Sequence, residues 1–521
     1  MILKLTNKMK PKIPHLIIKA GAGTGKTTTM VEGVNLLLGR TPTITPSPEQ
    51  SAIWESICKS PKESKIGFLA YNKSIATVLK TRVAPGVEAM TIHSLGLKAI
   101  NRNYTRLNIS EYRVQNLIEK VTKIDLRILR ETKAVQLRAL ERLVSLCKQN
   151  LVDPNDLTLV DGLIAHYDVD MGEEDKHYQE VVDLLPSIID RCKTPDKDKC
   201  IDYDDMVWLP IVLNLPPPKY DILLVDEFQD TNRCTQAMAR VAGTRLILCG
   251  DTNQAIYGFT GADSESMSRM YKELKATPQG CEVLSLSMTR RCGKAIVAEA
   301  NSIVAEFYAH ESNPVGVVEK ALYHSDNPEV PSYHTSVKYG DMVLCRNNAP
   351  LVSQCFKFIK MGLKATIQGR DIGKGLITLV RKFKTNDVVE FVEKLSDWCA
   401  KELNKERAKR FPSESKLMSI QDKHDCLLSF TGEGVSTVDQ VVEKIEKVFT
   451  DNNHETGIRM SSIHKAKGLE AETVWFLQPN MARVPSGRDK GWQYTQAMNL
   501  RYVAITRAIS KLVHVYESGV S

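Results

Sequence analysis

The run Ala20-Gly-Ala-Gly-Thr-Gly-Lys-Thr27 gathers three glycines, a lysine and two threonines into one short loop. Glycines let such a loop turn tightly with backbone N–H groups pointing inward, which makes a cradle for phosphate. Lys26 has the reach to touch terminal phosphates, and the Thr27 hydroxyl suits the shell of a divalent cation. Further on, Ile222-Leu-Leu-Val-Asp-Glu-Phe-Gln-Asp230 delivers Asp226 and Glu227 together at the end of an apolar run. Asp226 is placed to hold Mg²⁺ and Glu227 to polarise an attacking water. Adjacent acids after a strand also serve as helix N-caps, but the lysine loop upstream favours phosphate chemistry. A phosphate loop alone does not separate a motor from a kinase or a switch.

The elements that must position these groups are short strands feeding loops. Residues 15–20 are an apolar run that ends at the glycine loop, and residues 27–38 follow with helical spacing. That order opens an α/β nucleotide-binding unit. Short apolar runs at 66–70, 89–92, 222–225 and 245–249 read as buried parallel strands. Residues 113–149 lack Gly and Pro and repeat Leu, Lys, Arg and Glu at helical spacing, so 101–200 reads as a helical insertion. A second α/β unit is expected to open near Glu282, with strands at 282–286, 342–345, 364–367, 473–477 and 512–516. The expected division is 1–100 with 201–280, insertion 101–200, then 281–374 with 457–521, and a small helical insertion at 375–456.

At 521 residues the chain exceeds one ordinary core. Its 42% hydrophobic and 25% charged residues are those of a globular protein. There is no run of eighteen apolar residues to span a bilayer and no apolar leader before the first strand. The expected location is therefore cytoplasmic, or the host cytoplasm for a viral protein, with no membrane partner. The formal charge of +8 is compatible with a phosphate-backbone partner without establishing one. Twelve cysteines without a Cys-x-x-Cys pair point to reduced thiols and to no structural zinc or iron–sulfur cluster.

Beyond the phosphate loop, the motif set resembles that of superfamily 1 DNA helicases of the UvrD/Rep type. Asp226-Glu-Phe-Gln-Asp230 resembles their second motif and Leu248-Cys-Gly-Asp-Thr-Asn-Gln-Ala-Ile-Tyr-Gly-Phe-Thr-Gly-Ala262 their third. Ser462-Ile-His-Lys-Ala-Lys-Gly-Leu-Glu470 resembles the fifth and Tyr502-Val-Ala-Ile-Thr-Arg-Ala508 the sixth. Phe68-Leu-Ala-Tyr-Asn-Lys-Ser-Ile-Ala76 and Thr91-Ile-His-Ser94 resemble first-domain motifs that contact DNA. The wording of Tyr71–Ala76 and His464–Glu470 is nearest the F-box DNA helicase branch, although no F-box is present.

The resemblance implies an α/β fold of two RecA-like P-loop domains with parallel sheets, each interrupted by a mostly helical insertion. It implies ATP and Mg²⁺ as ligands, with ATP bound between the domains. Ala20, Gly21, Ala22, Gly23, Thr24, Gly25, Lys26, Thr27 and Thr28 would surround the phosphates, with Thr27 and Asp226 on Mg²⁺. Arg291 and Arg507 stand where the family has arginine fingers, Gln254 where it senses the γ-phosphate, and Gly468 and Glu470 where it lines the nucleotide. Tyr71, Asn72, His93, Tyr257, Phe259 and His464 match DNA-side positions. Phe259 is equally readable as core. The implied partners are single-stranded DNA and duplex junctions, with 3′-to-5′ movement in repair, recombination or replication. The alternative is a DNA-stimulated ATPase that strips nucleoprotein without unwinding. No protein partner is indicated.

Three departures concern the base. No glutamine precedes the phosphate loop, whereas Pro46-Ser-Pro-Glu-Gln-Ser-Ala-Ile-Trp54 follows it and resembles the missing adenine motif. Gln50 either reads the adenine edge or belongs to a helix start capped by Ser47. Thr28 stands where many relatives have arginine, and Arg290 where they have tyrosine, so Arg290 is a candidate to stack on the base. The choice between ATP and GTP stays open.

Overall fold

The computed structural model describes residues 12–167, 169–172, 175–256, 265–324, 332–408, 414–432, 434–450, 457–479 and 491–517. The chain divides between Ser287 and Met288 into two compact units. Each carries a parallel sheet flanked by helices and by a helical insertion, the expected tandem of RecA-like folds. Among the described residues no helix is long and apolar enough to cross a membrane.

In the first unit the sheet strands are β1 His15–Ala20, β2 Ile66–Ala70, β3 Glu88–Thr91, β4 Tyr220–Val225, β5 Gly243–Gly250 and β6 Cys281–Leu286. Their order is β3-β2-β4-β5-β1-β6. The central strands are apolar on both faces because helices cover both, as all-parallel sheets require. Leu69 pairs with Val225, Val225 with Leu248, and Ile18 with Cys249. The carboxyl ends of β1, β2, β4 and β5 therefore come out side by side at one edge, where open α/β sheets bind ligands.

One strand sits elsewhere than its sequence suggests. Residues 281–286 read as the opening of the second unit, yet β6 pairs in parallel with β1, from His15 with Cys281 to Ala20 with Leu286. Its sequence, Cys-Glu-Val-Leu-Ser-Leu, is only partly buried, as an edge strand can be. Periodicity identifies a strand but not the sheet that takes it. The amide of Gly21 donates to Leu286 O at 3.0 Å, so this edge strand anchors the glycine loop.

Helix α1, Lys26–Leu37, lies against α2, Pro48–Cys58. The Trp54 indole donates to Thr29 O at 2.9 Å, and Gly33 gives room for Trp54 and Ile57. Buried Arg245, at the start of β5, donates to the carbonyls of Ser56 (3.0 Å) and Ile57 (3.3 Å) and so satisfies the end of α2. After β2 and β3 come α3, Lys73–Arg82, and α4, Ile92–Asn103.

The first insertion includes α5 Arg113–Thr122, α6 Ala134–Asn150 and α7 Asp175–Cys192. They join α8, Tyr203–Val212, which leads back towards β4. A buried charge network makes that joint. Arg113 pairs with Asp205, and the Lys148 ammonium lies 2.6 Å from Asp202 and 2.8 Å from Asp205. Buried charges persist only when paired this closely. Helix α4 touches α8 through backbone: a Cβ added at Gly96 would lie 1.9 Å from Met206 O.

In the second unit the strands are β7 Val317–Leu322, β8 Met342–Cys345, β9 Ala365–Gln368, β10 Phe449–Thr450, β11 Ile458–Ser462, β12 Ala471–Leu477 and β13 Ala508–Tyr516. Their order is β7-β13-β12-β8-β11-β9-β10. Sequence reading missed β7, β10 and β11, of which β10 is two residues long and β7 is largely half-exposed. Helix α9, Asn348–Lys360, follows β8, and α10, Glu414–Ser429, belongs to the second insertion. Asp422 of α10 accepts from the amides of Asn348 (3.1 Å) and Ala349 (2.7 Å) at the start of α9. A carboxylate from the insertion thus caps a helix of the α/β core.

The Gly96 crossing sets the seat of α4. Gly96→Ala should push α4 off α8 and lower stability by about 1–3 kcal/mol, read as a lower urea midpoint with an unchanged slope. An unchanged midpoint would refute the tight crossing.

Candidate active site

The glycine loop owes its shape to two residues with left-handed backbone, Gly23 (φ 66°) and Gly25 (φ 80°). Thr24 Oγ1 donates to Gly21 O at 3.0 Å and Thr29 Oγ1 to Gly25 O at 2.9 Å, which pins both ends of the turn. Gly25 is the N-cap of α1 and has no side chain to offer the first N–H groups. The positive end of α1 is therefore left to accept an anion.

Behind the loop, Thr27 Oγ1 donates to Asp226 Oδ2 at 2.6 Å, and Lys26 Nζ is 3.7 Å from Glu227 Oε1. Burial would lower the Lys26 pKa, but Glu227 and Asp251 opposite hold it above its ordinary value. Burial, then repulsion from Glu227, pushes the Asp226 carboxyl up to about 6. Asp251 is raised by burial as well. One buried ammonium thus faces three carboxylates, of which Asp226 and Asp251 are buried and Glu227 is half-buried. That excess of negative charge, with the Thr27 hydroxyl beside Asp226, fits a divalent cation with oxygen ligands. The donors present suit Mg²⁺ held by Thr27 and Asp226 next to phosphate oxygens.

Gln254 is buried, and its amide donates to Asp251 Oδ2 at 2.7 Å. Asp251 was missed by sequence reading, although Leu248-Cys-Gly-Asp251 repeats the pattern of apolar strand followed by acid.

Gln50 satisfies a capping box on α2: its backbone N–H donates to Ser47 Oγ at 3.3 Å, and its side-chain oxygen accepts from Ser47 N at 2.9 Å. Its Nε2 also donates to Thr29 Oγ1 at 3.0 Å. The helix-start reading is thus realised, with the carboxamide turned onto the phosphate-loop helix. Arg82 of α3 donates to Thr28 Oγ1 at 2.9 Å. Sequence reading missed this guanidinium, which arrives at the Thr28 position from another element.

On the sheet edge, Tyr71 follows β2 with 47% of its surface exposed. Asn72 Oδ1 caps α3, accepting from Ile75 N at 2.8 Å, and His93 lies in the first turn of α4. A cavity of about 220 Å³ lies among Tyr71, His93, Gln149, Asp204, Asp226 and Glu227. Burial lowers the His93 pKa, with Asp204 opposing. Tyr257 and Phe259 lie outside the described residues.

Within the second unit another group converges. Arg291 pairs with Glu470. Buried Arg507 donates to Val503 O (3.0 Å) and, through Nη1, to Leu469 O (3.1 Å), next to Gly468 (φ 86°). Arg290 is exposed one position before Arg291. His464 follows β11, and burial plus the nearby Arg346 guanidinium push its pKa down to about 4, so the ring is neutral. Arg346 directly follows β8, the neighbour of β11, and sequence reading had passed over it.

The model of the UvrD/REP helicase N-terminal domain family matches residues 6–275 of this chain. The chain belongs to the UvrD/Rep helicase family. Helicases of this family depend on ATP and Mg²⁺. The chain is 23% identical to a probable DNA helicase II homolog of Mycoplasma pneumoniae, over 94% of this chain and 80% of that protein. It is 24% identical to the ATP-dependent DNA helicase PcrA of Bacillus subtilis, over 56% of this chain and 37% of PcrA. With the ATP-dependent DNA helicase Rep of Escherichia coli it shares 24% identity, over 59% of this chain and 42% of Rep. The matched part spans less than half the length of PcrA and of Rep.

Gln50 can be tested in two roles at once. Gln50→Ala should cost about 1 kcal/mol of cap energy and weaken ATP binding. Gln50→Glu keeps the capping acceptor but loses the amide donor; it should retain thermal stability while its preference for ATP over GTP falls. Unchanged nucleotide preference in both variants would leave Gln50 a cap alone.

Proposed function

We propose that this UvrD/Rep-family chain is an ATP-driven motor that moves along single-stranded DNA, 3′ to 5′, and opens duplex at junctions. The observation that carries the proposal is the cluster of buried Lys26 and Asp226 with half-buried Thr27 and Glu227 at the sheet edge that also bears Tyr71 and His93. Motif wording supports a place near the F-box branch of the family.

In this reading the glycine-loop amides and Lys26 bind the β- and γ-phosphates. Mg²⁺, when bound, neutralises charge on those oxygens. Thr27 and Asp226 hold its shell, and their mutual hydrogen bond keeps both in place beforehand. Glu227 orients the attacking water and takes its proton. Gln254, fixed on Asp251, reports the state of the γ-phosphate. Arg291 and Arg507 stabilise charge that develops on the transferred phosphoryl, an effect of about 10³–10⁵ in rate where it has been dissected. Gly468 and Glu470 complete the nucleotide contacts, and exposed Arg290 is available to the base. On the nucleic acid, Tyr71 offers an aromatic face, and His93, Asn72 and neutral His464 offer polar contacts suited to a single strand. Tyr257 and Phe259 are proposed as further stacking residues.

The test is ATP hydrolysis with and without single-stranded DNA, together with strand separation on a tailed duplex. The wild type should be stimulated strongly and should unwind. Glu227→Gln should lose about 10²–10⁴ in kcat while still binding an ATP analogue. Stimulation without strand separation would transfer the reading to a remodeller of nucleoprotein complexes. Absence of stimulation would overturn the motor.

A further inference from the structure

Between Glu227 and Gln254 runs a short chain of hydrogen bonds centred on Gln229. Its origin is local. Glu227 takes a left-handed conformation (φ 50°), and the 3₁₀ turn Phe228–Asp230 then folds back beneath it. A non-glycine residue there is strained by about 1–2 kcal/mol, so the surroundings must hold it. Gln229 is 1% exposed and lies inside that turn.

Its carboxamide has one possible orientation. Oε1 accepts from the backbone N–H of Asp251 at 2.9 Å, and a backbone amide can only donate. The NH₂ group must then face Glu227, and Nε2 donates to Glu227 Oε2 at 2.6 Å. Room for this amide comes from Gly250. A Cβ there would lie 2.5 Å from Gln229 Oε1 and 3.1 Å from Gln229 N. Asp251 continues the chain, accepting from Gln254 Nε2 at 2.7 Å and from Asn253 N at 3.0 Å.

Glu227 is thus gripped on both oxygens, Oε1 facing Lys26 at 3.7 Å and Oε2 bonded to Gln229. Once Lys26 engages phosphate, the Gln229 bond still holds Oε2. We infer that Gln229 is a positioning residue, holding the Glu227 carboxylate in its proton-accepting orientation and tying that orientation to the 251–254 segment. The inference rests on Glu227 being the general base. It adds a specific linkage: a shift of Asp251 displaces the amide that aims Glu227.

A double-mutant cycle in the full-length chain, with saturating single-stranded DNA, tests this. Gln229→Met keeps the length and loses all three side-chain hydrogen bonds, to Glu227, to Asp230 (3.4 Å) and from Asp251 N–H. It should lower kcat about 10–100-fold, the scale on which groups that orient a reacting residue act. KM for ATP and affinity for an ATP analogue should stay near wild type. In a Glu227→Gln background the same substitution should change kcat less than about threefold, because the group it positions is already gone. An unchanged kcat in Gln229→Met overturns the inference. So does an equal loss in both backgrounds, which marks a merely structural residue. Should Gln229→Met fail to fold or to bind the analogue, Gln229→Glu carries the test. That variant keeps an acceptor for Asp251 N–H and sets a carboxylate against Glu227; full kcat there overturns the inference, and a similar loss supports it. If instead Glu227→Gln alone keeps full activity, the general-base reading fails, a result distinct from failure of Gln229.

Discussion

Asp226, Glu227 and Asp251 crowd around one buried ammonium, Lys26, and of these Lys26, Asp226 and Asp251 are too deeply buried to carry charge there alone. Burying charge costs several kcal/mol per ion unless partners repay it. Here repayment is partial by construction, since the carboxylates outnumber the lysine. The first unit therefore holds a site whose balance improves when a cation and a phosphate chain enter together. Much of the surrounding structure serves to keep that imbalance from relaxing. Thr27 and the amide of Glu227 bond Asp226, Gln229 bonds Glu227, and Gln254 with Asn253 N bonds Asp251.

Such crowding is possible because the sheet is parallel. Strands β4, β5 and β1 run side by side in that order, so Asp226–Glu227, Asp251 and the glycine loop leave successive strand ends that are about 5 Å apart from one to the next. Glycine supplies clearance where the elements approach most closely. Gly25 frees the end of α1, and Gly250 admits Gln229. An alanine at either place would meet the side chain that the cluster needs or force a left-handed backbone.

Local chemistry was legible in the sequence to the extent that it was local. The glycine loop, Asp226–Glu227 and the two helical insertions could be read because each is written in consecutive residues. Pairings between distant residues were not. Nothing in the alternation of 281–286 tells whether it edges the first sheet or opens the second. Gln229 could be read as part of a motif, but its bond to Asp251 N depends on β4 and β5 being neighbours. Arg82 and Arg346 escaped notice because a lone arginine carries no periodic signal. Gln50 is instructive in another way: two readings competed in the sequence, and the structure uses the carboxamide oxygen for the cap and its nitrogen for Thr29.

The short path between the two faces of the first unit follows from the same topology. Strand β2 lies beside β4, with Leu69 paired to Val225, so Tyr71 and Asp226 each stand just past the end of a neighbouring strand. Between them the cavity is lined by His93 from α4, Asp204 from α8 and Gln149 from α6. Gln149 and Ser145 both hydrogen-bond Asp204, while Lys148, the residue before Gln149, is locked to Asp202 and Asp205. The insertion is therefore not a loosely tethered appendage: its buried charges fix the wall of the cavity that faces the carboxylates. A ligand that shifted α4 at His93 would press on α8 through the backbone contact at Gly96, and hence on Asp204. Communication of this kind needs no long-range pathway. It needs packed elements with no slack between His93 and the Asp226–Glu227 carboxylates, and at Gly96 there is no room for even a Cβ.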